Sequence, residues 1–343
     1  MHSRTTCFIN SPEMPCLMNL QLEPGSESGQ KLDRNEAVRH NWRYQVGTMA
    51  RQSIGPDQFE GTWAVVSKVA HALVRAFLVA LLVATPSLLL PETPSDTAQL
   101  VLVLAILASF MTFLEYYGRY PSIVEFRFAP PFNRLKFVGL ALTVLLLTLI
   151  LRGKANPTEL TMFLTVLGNG LGEVIDFPYS PVRLMVLMMP ADADAALIAS
   201  VRTAAGLSYT ISIVMMFVFL TYVRFLGWPL RNGAFNVWVN LPMFDPTGGG
   251  DVLHRLKRDA GLNIVLGTLL PFLIPAAIKA ASDLINPVSI ADSQTMIWTV
   301  TAWAFLPASM LMRGIAMSRI AEMIVEKRRR AHARAQAEAM QGA

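Results

Sequence analysis

Few residues in this 343-residue chain could do chemistry, and each lacks the companions its chemistry needs. Glu115 is the acidic group closest to an apolar run. A proton relay across a membrane needs several such groups within the spans, so Glu115 is read as paired with Arg119 one helical turn on. Pro271 and Pro275 each free the carbonyl four residues back. With Gly267 they mark the one place where bared oxygens could coordinate a passing ion, or where the helix merely bends against its neighbours. Met185, Met188 and Met189 offer soft sulfur for copper(I), although methionine usually serves as adaptable packing. Glu173, Asp176, Asp192 and Asp194 have the charge for a cation but no ligand spacing, and Asp192 and Asp194 suit a helix start better.

Asp245-Pro246-Thr247-Gly248-Gly249-Gly250-Asp251 has phosphate-loop glycines without the Gly-Lys-Ser/Thr that follows them in such loops, so it reads as a turn capped by Asp251. His71 is the only histidine near an apolar run, and Cys7 and Cys16 match no zinc spacing. No nucleophile and base come together. The expectation is a protein that is not an enzyme and has no cofactor, no metal and no catalytic residue.

The elements that would have to position these residues are clearer. Six stretches lack any charge: 76–91, 97–114, 137–151, 203–223, 260–278 and 293–312. Each approaches the roughly 20 residues that carry a helix across a bilayer core. Hydrophobic residues make up 53% and charged residues 15%, well below the charge of a soluble domain, and no strand-like alternation runs through the apolar stretches. The fold class is therefore all-α membrane, a polytopic bundle of six transmembrane helices with spans at about 70–91, 97–116, 135–152, 203–225, 260–280 and 293–313.

With both termini inside, the inner segments hold 24 of the 29 Lys and Arg. That asymmetry predicts N-in, C-in in a bacterial inner membrane. It also assigns the basic pI to anionic lipid headgroups and not to nucleic acid.

Three domains follow: a weakly structured cytoplasmic region at 1–62, a membrane domain at 63–318 with an outer insertion at 153–202, and a basic helical tail at 319–343. Met49 starts a shorter chain that keeps every apolar run, which makes residues 1–48 a candidate over-extension. In the outer insertion, Asn156-Pro157-Thr158-Glu159 predicts a helix start with Glu159 completing a capping box. Gly168-Asn169-Gly170 predicts its end, and the helix between is expected to lie on the leaflet. Ser180-Pro181 opens a second short helix over 182–189.

Two connections alternate like strands. In one, Val124, Phe126 and Phe128 oppose Ile123, Glu125 and Arg127; in the other, Phe235, Val237, Val239 and Leu241 oppose Asn236, Trp238 and Asn240. They predict a small cytoplasmic two-stranded sheet and, with their flanking spans, a weak parallel repeat. The competing expectation lays both at the headgroups, with Tyr116, Tyr117, Tyr120, Trp228 and Trp238 as an aromatic belt.

Two basic clusters, Arg255, Lys257, Arg258 and Lys327, Arg328, Arg329, Arg330, are expected at lipid phosphates, with Glu326 reaching Arg330 at i, i+4. The function expected is that of a non-catalytic accessory, scaffold or assembly subunit. It would meet a membrane-protein partner or a second copy through Glu125, Arg127, Phe128, Phe132 and Arg134. The alternative is a small-solute or ion transporter with its pathway at Gly267, Pro271 and Pro275.

Overall fold

The computed structural model describes residues 56–91, 94–190, 192–229, 240–244, 251–281 and 292–341, with side chains from Val65 onward. The expectations for Cys7, Cys16 and the Met49 start, for the strand at 235–239 and for the glycine turn at 245–250 lie outside the described residues. The chain divides into two compact units, Met1–Trp63 and Ala64–Ala343, and the second carries the bundle.

Among the described residues the secondary structure is helical throughout: α1 (Pro56–Leu89), α2 (Ser95–Tyr117), α3 (Phe132–Ala155), α4 (Glu159–Ile175), α5 (Pro181–Leu187), α6 (Ala195–Phe225), α7 (Val252–Ala281) and α8 (Ser293–Gln341). Six of them, counting Val65–Leu89 of α1, are long and apolar enough to cross a membrane. This is a multi-pass architecture compatible with an integral membrane protein. The chain uses helices because the apolar runs are built from Leu, Val and Ala, which have no way to satisfy strand edges in hydrocarbon. Two helices outrun the bilayer: α6, with 31 residues, is about 46 Å long, and α8, with 49 residues, is about 74 Å.

Contact surfaces between helices are small-residue seams. Along α7, Ala260, Asn263, Gly267, Pro271 and Pro275 are buried on one face, and α8 runs antiparallel against it. A Cβ on Gly267 would lie 2.7 Å from the Pro307 carbonyl, and one on Gly314 would lie 2.8 Å from the Ala260 carbonyl. No side chain fits between the two backbones, so they approach as closely as in other small-residue membrane interfaces.

A second seam corrects the expected end of α4. Gly168-Asn169-Gly170 does not stop the helix, which continues to Ile175. A Cβ on Gly206 of α6 would lie 2.4 Å from the Gly172 Cα, and one on Gly168 would lie 2.9 Å from Thr203 Cγ2. Glycine is used here for close approach, so its poor helix propensity is outweighed by packing on α6. The start is corrected too: Thr158, not Asn156, is the N-cap, and Thr161 replaces Glu159 in the reciprocal capping box. The opposite face of α4 leaves Phe163, Val166 and Val174 exposed.

Two buried clusters hold the bundle. One gathers Val144 and Leu147 of α3, Val182 and Met185 of α5, Val201 of α6 and Ile297 of α8. The other, at the end where α2 turns back into α3, gathers Phe126, Phe132, Phe219, Trp228, Leu256 and Ile320. That end is called the loop end below. α2 is the least embedded helix, burying Val101, Ala105 and Glu115, while Leu100, Leu104, Leu107 and Phe110 face outward. That is the pattern of a helix with hydrocarbon or a partner on most sides.

Candidate functional site: the folded connection at the loop end

The connection from α2 to α3 contains the densest polar network of the described residues. Its residues 123–128 form turns and not a strand. The alternation breaks at Phe126, which has φ of 54° and is buried to 1% exposure, while Phe128 is 55% exposed. A bulky residue in the left-handed region is a local cost that the surroundings must offset. The offset is visible: the Phe126 N–H donates to the Asn240 carbonyl at 2.7 Å and its own carbonyl accepts from Ala129 N at 3.1 Å. Asn240 Oδ1 also accepts from Phe128 N at 3.2 Å. The two connections therefore meet through one asparagine, where a strand ladder was expected.

Glu115, at the last turn of α2, does not pair with Arg119. Its Oε1 accepts the backbone N–H groups of Ser122, Ile123 and Val124 at 2.8, 3.0 and 2.9 Å, and Oε2 accepts the Ser122 hydroxyl at 2.6 Å. A carboxylate collecting successive N–H groups folds the chain around itself. The opposite charge does the reverse job. Arg127 donates to the carbonyls of Glu115, Tyr116 and Gly118, the acceptors left over at a helix C-terminus, where a cation also suits the dipole. Burial lowers the Arg127 pKa from its ordinary value, with the Glu115 carboxylate opposing.

Glu125 takes Arg313 of α8 in a two-point pair, Nε to Oε2 at 2.5 Å and Nη2 to Oε1 at 2.8 Å. The Glu125 side chain is 10% exposed, so losing either partner leaves a nearly buried charge and costs about 3–5 kcal/mol. Beneath it the aromatic rings interlock. Phe132 meets Phe126 at 4.6 Å and Phe219 at 5.3 Å, and Trp228 lies 5.1 Å from Phe219. Trp228 Nε1 donates to the Ala129 carbonyl at 3.1 Å. This tryptophan, expected in a headgroup belt, is instead buried in the loop-end core.

Of the five residues expected to meet a partner, then, Glu125, Arg127 and Phe132 are committed inside the chain, and Phe128 and Arg134 face out. Tyr120 and Ile123 join them at the surface. Asn240, Trp228 and Arg313 went unnoticed in the sequence because their partners lie roughly 100 to 190 positions away.

A cavity of about 390 Å³ opens beside the connection, between α1, α2 and α3. Arg75, Arg127 and Arg134 line one end of it, and Leu78, Phe137 and Val138 the other. Arg75 lies over the Tyr116 ring at 4.3 Å, with Arg127 at 5.5 Å from the same ring.

Elsewhere the sites expected from sequence resolve differently. Trp303 Nε1 donates to the Pro271 carbonyl at 3.0 Å, so the oxygen that Pro275 frees is already taken. Gly267, Pro271 and Pro275 all face α8 in the buried seam. Met185, Met188 and Met189 are buried in the apolar core. Asp176 binds Arg183 at 2.9 Å and Arg202 at 2.7 Å, with Glu173, Asp192 and Asp194 exposed apart from it. No group of three or more His, Cys, Asp or Glu among the described residues could hold a metal ion.

Of the basic clusters, Arg328 is held by Asp251 at 3.0 Å and Arg330 by Glu326, and Arg255 covers the Phe244 ring at 5.4 Å. Lys257, Arg258, Lys327 and Arg329 point to the surface. No protein family, no curated protein and no solved structure matches this chain.

Proposed function

We propose that this protein is a non-catalytic subunit of a larger inner-membrane assembly, a scaffold or accessory that offers the loop end to a second membrane protein. The observation that carries the reading is the exposure of Tyr120, Ile123 and Phe128, at 71%, 68% and 55%, on a backbone tied at both ends by Glu115, Arg127 and Asn240. Ordering those residues costs entropy. A surface already held in one shape avoids that cost when it binds, which is how preorganised aromatic anchors gain affinity. Arg134, exposed at the start of α3, supplies a charge beside them.

The loop end is assigned to the cytoplasm with both termini, in a bacterial inner membrane, because it collects most of the basic residues. Purification of the full chain in mild detergent tests the reading. A partner in fixed ratio is expected, lost when Ile123→Ser and Phe128→Ser are combined, with melting unchanged. A protein that purifies alone and conducts a solute in liposomes overturns it, and so does one whose partner survives both substitutions. A fusion reporter at Asp292 responding in the cytosol overturns the orientation.

A further inference from the structure

The cavity beside the folded connection has a chemistry that the scaffold reading does not use. We infer that it is a binding site for one anionic phospholipid of the adjoining leaflet, with the phosphate at Arg75, Arg127 and Arg134 and the acyl chains running over Leu78, Phe137 and Val138. The inference shares with the reading above only the placing of the six helices in a bilayer.

Charge comes first. The two carboxylates near these guanidinium groups are already engaged: Glu115 by Ser122, Ile123 and Val124, and Glu125 by Arg313. None of the three arginines lies within ion-pairing distance of an acidic side chain among the described residues. Arg127 is held by neutral carbonyls, which fix its position and leave its charge in place. Three uncancelled guanidinium groups around one cavity, at the edge of apolar spans, form a basic pocket between helices of the kind that takes an anionic headgroup.

Polarity then changes along the cavity in register on two helices. Arg75 is followed one turn deeper by Leu78 and Val79 on α1, and Arg134 by Phe137 and Val138 on α3. A free phosphate would use only the basic end. A lipid uses both, and at about 390 Å³ the cavity is within the range of small-ligand sites, with room for a headgroup and the first part of its chains. Leu78 at 39% and Val138 at 58% exposure leave the apolar end open to the surrounding hydrocarbon.

The test uses the full chain in detergent with phosphatidylglycerol or phosphatidylcholine added, and counts retained lipid by native mass spectrometry. One phosphatidylglycerol is expected to stay bound at detergent concentrations that strip phosphatidylcholine. Arg75→Gln with Arg134→Gln should weaken its retention on the order of thirtyfold, from roughly fivefold per guanidinium at an anionic phosphate. Arg134→Lys should keep most of it. Neither arginine donates a hydrogen bond in the structure, so melting of the double variant should match the native protein and separate lost binding from lost fold. An equal-charge control, Lys327→Gln with Arg329→Gln in the tail, should leave retention unchanged.

Equal retention of the two lipids overturns the proposal, as does an equal loss in the tail control. Stabilisation by inorganic phosphate alone, with no lipid retained, keeps the anion chemistry and overturns the lipid. The measurement is made on the isolated protein, so the absence of a protein partner does not bear on it.

Discussion

Replacing Glu115 by alanine removes the hub of the connection, and the cost can be worked from its bonds. The carboxylate accepts three backbone N–H groups and one hydroxyl between 2.6 and 3.0 Å. Hydrogen bonds to a charged group contribute about 1.5–3 kcal/mol each, but the four are not additive here. Ser122 and Ile123 are exposed, so water can take over their N–H groups, while the half-buried Val124 N–H loses its partner. The expected cost of Glu115→Ala is therefore about 3 kcal/mol, that of one full charged bond plus an unsatisfied donor. Glu115→Gln keeps an oxygen for the N–H groups and gives up the charge, at about 1–2 kcal/mol. Ser122→Ala removes the single 2.6 Å bond, at about 1 kcal/mol. The assay is reversible denaturant unfolding in mild detergent, with protease cleavage at 120–123 as a local readout. The order Ala, Gln, Ser122→Ala is the prediction. A Glu115→Ala variant within about 0.5 kcal/mol of native, the scatter of an uninvolved surface position, would refute the claim that this carboxylate folds the loop.

The two seams and the tail give three further predictions. Gly206→Ala should destabilise by at least about 1–3 kcal/mol, since its methyl would meet the Gly172 backbone at 2.4 Å. Gly170→Ala, with nothing within 4 Å of the added carbon, should be neutral or stabilise by up to about 1 kcal/mol through helix propensity; thermal melting of the pair decides. Trp303→Phe should cost about 1–3 kcal/mol by orphaning the Pro271 carbonyl. The cost should shrink in a Pro275→Ala background, where residue 275 regains an N–H for that oxygen, and a double-mutant cycle showing no coupling would count against it. The Arg328 hydrogen bond, with help from the Leu253 N–H, lowers the Asp251 pKa below its ordinary value. A depressed carboxylate stabilises above its unfolded pKa and loses that contribution as pH falls through the folded one. The melting difference between native protein and Arg328→Gln should therefore be constant at neutral pH and vanish only at pH values below the ordinary range of an aspartate.

Where physics imposes a length filter, the sequence could be read well. A bilayer demands about 20 apolar residues per crossing, and each of the six charge-free runs lies largely within one of the six membrane-length helices. The short helix over Pro181–Leu187 with its Ser180 cap was readable for a similar reason, because cap and proline act within one turn. Reading failed wherever a local preference was outweighed by a distant neighbour. Gly168 and Gly170 read as a stop, and only Thr203 and Gly206, more than 30 positions on, explain why α4 continues past them. The alternation over 123–128 is that of a strand. What turns it is the left-handed Phe126, buried among rings from α3 and α6 and hydrogen bonded to Asn240, and periodicity has no access to that. The carbonyl freed by Pro275 was visible in the sequence, but the indole that fills it was not.

The charges of the loop end sort by what cancels them, and the sorting is also an argument about function. A buried ion pair such as Glu125–Arg313 gains little over well-packed apolar residues of the same volume, yet it is costly to break, so its effect is to fix which face of α8 meets the connection. Glu115 and Arg127 act on shape as well, one gathering N–H groups and the other carbonyls of the same turn. These groups hold the chain in one form and have little capacity left for chemistry. What the fold leaves over is of two kinds: apolar side chains held out at Tyr120, Ile123 and Phe128, and guanidinium charge at Arg75 and Arg134 with no carboxylate beside it. An apolar surface on a fixed backbone suits another protein, and uncancelled positive charge above an apolar groove suits a lipid phosphate. The two surfaces rest on the same knot. Glu115→Ala should therefore weaken both partner retention and lipid retention, whereas Phe128→Ser should weaken only the first and Arg134→Gln mainly the second.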